Sequence, residues 1–337
     1  MSKENTLNTQ RIDWIDQVKG FGIILVVYGH NFPIIEDYIY SFHMPLFFLL
    51  AGIFHPKKSN FQVIKKRVQQ ILIPYFLWSF LLFIFWFFIG RKFGESSLLD
   101  LSPLKNFIGI FFSQGDTTYM NWGIPMWFLP SLFLTFLIFY WIQKIKNSIL
   151  KIILCLTCIT IGFILPKVFN VYFFWSFDVS LVGLTFYAFG FYTKKIILQK
   201  SQKKEYLLIL FFLIFHSILS FLIVQKVDMY RSIYGNASLF IINAISGVLF
   251  WLLLIKNFNK FTFLSFFGKN TIPILALQIR AMTFIKLMIL LFFGTKIFNF
   301  NEFEKVVSSL FQLALIYPII ILINKYAPQL NGKTKKI

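Results

Sequence analysis

Two histidines set in apolar sequence, His30 and His43, are the residues of this 337-residue chain best suited to moving a proton. An imidazole titrates near neutral pH, so it can take a proton and return it. His30 closes the stretch RIDWIDQVKGFGIILVVYGH, and His43 stands in SFHMPLFFLLAG. Lys19 precedes His30 by eleven residues. On a helix that spacing is three turns plus about 20°, with a rise of about 16 Å. Asp16 falls about 40° from the same line. One helix face therefore carries an acid and a cation at a water boundary, and an imidazole deep in apolar sequence. A buried ring of this kind is expected to face a cavity. The chemistry it suits is proton transfer, as a general acid or base.

The elements that must hold these residues are membrane helices. The chain is 58% hydrophobic and 20% aromatic, with only 14% charged residues and a mean hydropathy of +0.72. Apolar runs near 20 residues recur throughout, which predicts an all-α, polytopic integral membrane protein forming one domain over 1–337. Ten spans are expected: Val18–Ile35, Ile39–Phe54, Ile71–Ile89, Met126–Ile142, Ile149–Leu165, Tyr172–Tyr192, Tyr206–Val224, Leu239–Ile255, Thr271–Phe293 and Val306–Ile323. An even count puts both termini on one side. With the termini in the cytoplasm, 23 of the 33 Lys and Arg fall in inner segments, 8 in outer loops, and Arg280 and Lys286 inside a span. That bias supports cytoplasmic termini. It also explains the net charge of +20 without nucleic acid, because the cations cluster in short loops.

His30 and His43 lie on an antiparallel hairpin and should share a depth in the outer half of the membrane. Pro33 and Pro45 follow them and are expected to free the carbonyls of Gly29 and Ser41. The loop 90–125 is expected outside, with Phe107–Phe112 in the interface. Trp122 and Trp127 read as an aromatic belt, with Trp127 close enough to line a cavity. Asp178 and Arg280 are lone charges within spans and are expected to face the cavity of the histidines, together or paired. His216 reads as packing without polar company, and His55 as interfacial. Lys65, Lys66 and Arg67 are either a topology anchor or a phosphate-binding group. Cys155 and Cys158 form a CxxC within an apolar helix, with no second pair, so they read as packing residues and no metal is expected. The first helix lacks a small-residue cleavage site and reads as retained.

Five blocks in order carry a resemblance: RIDWIDQVKGFGIILVVYGH, SFHMPLFFLLAG, KKRVQQILIPY, MWFLPSLF and FLSFFGKNTIPILALQ. Together, over residues 11 to about 278, the chain resembles membrane acyltransferase family three, especially its fucose-O-acetylase-like branch. The resemblance implies a ten-helix enzyme of the cell membrane. Such an enzyme moves an acyl group, usually acetyl from acetyl-CoA, onto a sugar hydroxyl of an envelope polysaccharide or related glycan. It implies His30 as the catalytic residue, with His43 beside it. It places Lys19, Asp16 and Arg67 toward the coenzyme. A homodimer is compatible with it. Two positions depart from the family pattern: Gln70 stands where many members have a second arginine, and Gln278 where the late block often ends in histidine. A transporter or flippase for lipid-linked saccharide would also explain ten spans and buried charges. It would not explain the lysine-to-histidine spacing, and the inverted repeats it should show are not visible. A membrane scaffold would leave the paired His-Pro features without purpose.

Overall fold

The computed structural model describes residues 12–56, 60–92, 96, 99–199, 205–222, 226–258, 261–294 and 298–333. Arg11, Lys57, Lys58, Lys296 and the chain ends, which contribute to the charge bias, lie outside the described residues. The helices run α1 (Asp13–Gly29), α2 (Glu36–Ile53), α3 (Phe61–Arg67), α4 (Ile73–Phe88), α5 (Pro103–Phe112), α6 (Thr117–Met120) and α7 (Phe128–Lys144). They continue with α8 (Ser148–Phe169), α9 (Phe177–Ile197), α10 (Glu205–Leu222), α11 (Ala237–Phe258), α12 (Thr262–Gly268), α13 (Thr271–Phe293) and α14 (Glu302–Tyr326). Among the described residues no strand forms, and a lone bridge joins Asp228 to Ile233. Among the described residues, seven helical stretches are long and apolar enough to cross a membrane. The protein is thus all-α and polytopic. α1, which His30 caps, and α2, which contains His43, are not among those seven.

α1 is the hub, packed against α2, α11, α12, α13 and α14. Its first turns are polar, yet Asp16 and Gln17 are buried. Small residues make the closest crossing. A Cβ on Gly20 would lie 1.9 Å from the Leu264 carbonyl oxygen, and one on Gly268 would lie 1.7 Å from that of Asp16. Backbones can approach this closely only where side chains are absent. A second crossing of this type joins α2 to α9 through Gly52 and Gly190. α12 itself falls in a segment expected to be a cytoplasmic loop. Its aromatic run, Phe263 to Phe267, carries Leu264 and Gly268 to α1.

α1 starts and stops earlier than hydropathy suggests, at Asp13 and Gly29 instead of Val18 and Ile35. His30 is its C-cap. Pro33 lies beyond the helix and frees nothing, since the Gly29 carbonyl accepts from the Phe32 N–H at 3.0 Å. Phe32 takes a positive φ of 53° to make this turn. Pro45 does stand inside α2.

The loop before α7 is not simply external. Phe107 of α5 packs on Phe83 and Phe80 of α4, and Phe111 packs on Phe80 and Phe76, so α5 runs back down α4. Tyr75 donates to the Ile110 carbonyl at 2.7 Å. α7 begins at Phe128, which packs on Phe47 and Phe48, well along α2. Residues between α5 and α7 therefore enter the bundle, where Asn106 donates to the Thr118 carbonyl and accepts from the Asn121 N–H. Irregular backbone at such depth is stable only when protein or a wet cavity surrounds it.

Candidate functional site

The C-terminal end of α1 builds the polar centre. His30 Nδ1 sits 2.7 Å from the Val26 carbonyl oxygen. A carbonyl only accepts, so Nδ1 carries the hydrogen and the neutral ring keeps its lone pair on Nε2. His43 is buried and repeats the arrangement, with Nδ1 2.8 Å from the Ile39 carbonyl and its ring against Tyr40. The two imidazoles lie near each other, and Gln278, itself buried, lies beside His30. The structure thus groups His30, His43 and Gln278.

His30 is half-buried on the wall of a cavity of about 280 Å³ shared with Asn31, Phe32, Met282, Lys286, Phe298, Asn299, Phe300 and Lys305. The ring lines this space. Next to it lies a polar network that the sequence did not single out. Asn31 donates to the Val27 carbonyl and to Ser309 Oγ. Its Oδ1 accepts from Ser308 and Gln312. Asn31 thereby caps α1 and ties it to α14. Ser308, Ser309 and Gln312 form a polar cluster on one face of α14, but residue order does not name their partner.

The opposite end of α1 gathers cations on one phenylalanine. Lys19 Nζ lies 5.3 Å from the centroid of the Phe54 ring, and Arg67 donates to the Phe54 carbonyl at 3.0 Å. Arg67 also sits over Phe136. A π-helical turn, Val68–Leu72, follows Arg67 and contains Gln70. Asp16 is covered by α12 and is not on an open rim with Lys19. His55, just beyond α2, is buried in protein. It shares a 2.8 Å hydrogen bond with Tyr187 and is ringed by Phe136, Phe139 and Phe191. Burial first, then the nearby Arg67 and Lys194, lowers its imidazole to about 4.

Three other residues sit apart from His30. Asp178 accepts from Ser232 at 2.5 Å, on the loop before α11. In that loop burial pushes the Asp228 carboxyl up, and the Arg231 guanidinium pulls it back in part. Trp127 is buried against Phe128 and Tyr230 and does not line the His30 cavity. Arg280 donates to the carbonyls of Asn121 and Trp122 at 3.0 and 2.8 Å, over the Phe85 ring. Asp178 and Arg280 therefore take separate partners instead of each other, because a hydroxyl and two carbonyls already satisfy them. His216 also has polar company, contrary to expectation: its Nδ1 is 2.7 Å from Asn243 Oδ1, which Ser220 shares.

A groove of about 890 Å³ runs between α1, α11, α12 and α14, lined by apolar residues that include Phe21, Trp251 and Leu313. Neither space contains both Lys19 and His30. The α1 face above Lys19 is closed by Leu46 and Phe47, which a Cβ on Gly22 would meet at 2.9 and 3.1 Å.

Residues 12–326 match the model of acyltransferase family 3, described as an acyltransferase domain. No curated protein and no solved structure matches the chain.

Proposed function

The chain belongs to membrane acyltransferase family three, and from that premise we propose that it moves an acetyl group from acetyl-CoA to a sugar hydroxyl of a cell-envelope glycan, in the plasma membrane. The observation that carries this reading is the His30 ring: its Nδ1 hydrogen is spent on Val26, and it stands on the wall of a polar cavity. Nε2 takes the hydroxyl proton as the sugar oxygen attacks the thioester carbon. The C–O bond forms, the C–S bond breaks, and the imidazolium returns the proton to sulfur, releasing the coenzyme as its thiol. A base positioned in this way contributes about 10²–10⁴-fold. His43 orients His30 or the acceptor.

Lys19 and Arg67 would hold the coenzyme phosphates at the cytoplasmic end, where a guanidinium offers paired donors to phosphate. The acetyl-bearing arm then travels about 16 Å along α1. Leu46 and Phe47 must give way for it to pass. Purified protein given acetyl-CoA and glycan acceptor should release free coenzyme thiol. Arg67→Gln should raise the KM for acetyl-CoA about tenfold with little change in kcat, as expected for lost phosphate binding. Acceptor-independent or absent thiol release would remove the reading, and absent release is what a transporter would show.

A further inference from the structure

The cavity at His30 is chemically one-sided. Its wall includes two lysines, Lys286 and Lys305, two amides, Asn31 and Asn299, and three phenylalanines, and it includes no carboxylate. Lys305 is neutralised by Glu302 at 2.7 Å. Lys286 is different. It is half-buried within a helix of membrane-spanning length, and among the described residues no carboxylate pairs with it. The Phe298 ring lies 5.7 Å from its ammonium. A charge inside a membrane segment is costly unless it meets a partner or water, and such residues mark substrate paths.

The register of α13 aims this charge at the acceptor space. Gln278, Met282 and Lys286 follow one another at intervals of four and form one stripe. Gln278 lies beside His30, while Met282 and Lys286 line the cavity. Lys286 is thus about 12 Å along the helix from the level of the base. A sugar hydroxyl at His30 leaves the rest of the acceptor extending toward the ammonium. Phe32, Phe298 and Phe300 supply apolar faces for sugar rings, and Asn31 and Asn299 supply amides.

We propose that the acceptor is an anionic glycan, whose carboxylate or phosphate is received by Lys286 while a hydroxyl of the same or the neighbouring sugar meets His30. The assignment rests on the acceptor binding at His30. Lys286 would set acceptor specificity without touching the transferred acetyl group. The expected preference over a neutral analogue is about 10- to 100-fold, the range of a hydrogen bond to a charged group.

The test uses the full chain in phosphatidylcholine nanodiscs and three probes: methyl glucuronoside, methyl glucoside 6-phosphate and neutral methyl glucoside. Calorimetric binding should favour both anionic probes, Lys286→Gln should abolish that preference, and Lys286→Arg should keep it. Equal binding of all three probes, or a preference that survives in Lys286→Gln, would overturn the proposal. Repeating the titration in phosphatidylglycerol nanodiscs separates a sugar from a lipid headgroup. Unchanged preference supports the sugar, and its loss would show that a lipid phosphate claims the lysine and would overturn the proposal. His30→Ala keeps the two ideas apart. It should abolish acetyl transfer while leaving the charge preference intact. Transfer that survives His30→Ala would instead remove the general base and leave the anion site standing.

Discussion

α1 and α8 are both membrane-bundle helices, and they are built in opposite ways. α8 is strongly apolar, and of its 22 residues only Cys155 and Gly162 are buried. Ile152, Ile153 and Leu156 all face outward. α1 carries Asp13, Asp16, Gln17 and Lys19 and is not apolar enough to rank as a span, yet five helices surround it. In water the order would be reversed, with polar residues outside. In lipid the apolar helix is the one that solvent tolerates, and the polar helix must be covered by protein. The difference teaches where chemistry can reside here. A histidine on α8 would meet lipid, whereas the one ending α1 meets a cavity.

The contrast can be broken most severely at the α1–α12 crossing. Gly20→Leu forces a side chain into the Leu264 carbonyl and should destabilise the fold by about 3 kcal/mol, at the upper end of overpacking. Thermal unfolding in detergent reads it, and an unchanged Tm would mean the helices are not in contact. The next effect is comparable and depends on pH. The His55 imidazole is lowered to about 4 in the fold, below its ordinary value of 6.5. The unfolded chain therefore gains its proton first as pH falls. Stability from this group is full above about 6.5 and is lost progressively down to about 4, some 3 kcal/mol in all. His55→Gln should flatten Tm across that window, and an identical slope in wild type and variant would contradict the burial of the ring.

A smaller effect is expected at the cap of α1. Asn31→Ala leaves Ser308, Ser309 and Gln312 without their shared partner, which costs about 1–3 kcal/mol. It should lower kcat with little change in the KM for acetyl-CoA, because His30 loses its anchored neighbour. Loss of Tm with kcat intact would confine Asn31 to a structural role. Smallest of all, Ile153→Val and Leu156→Ile on α8 should stay within about 0.5 kcal/mol of wild type and leave transfer unchanged. A large loss there would place α8 at an interface instead of in lipid.

Hydropathy is a local property, so the apolar helices and the polytopic class were legible from residue order alone. The shared contact of Lys19 and Arg67 with Phe54 was not, since nothing in residue order marks that phenylalanine. The end of α1 was legible in principle. Asn31 and Pro33 are stop signals, but the apolar run through Ile35 outweighed them. The Asn31 network was not legible, because its partners lie 277 to 281 residues away. Nor was the separation of Asp178 from Arg280. A lone charge in a span signals a partner but does not say which, and here a loop serine and two carbonyls serve. The descent of α5 along α4 was hidden for a similar reason, since an apolar patch can lie on a bilayer or on another helix with the same composition.

The central claim is that the imidazole at the end of α1 takes the acceptor's proton. His30→Gln keeps a side-chain donor for the Val26 carbonyl but removes the basic nitrogen. Mass spectrometry of the envelope glycan from cells producing wild type or this variant, at matched levels in the membrane, tests it directly. Acetyl groups should be present with wild type and absent with His30→Gln. A glycan equally acetylated in both would show that the proton goes elsewhere.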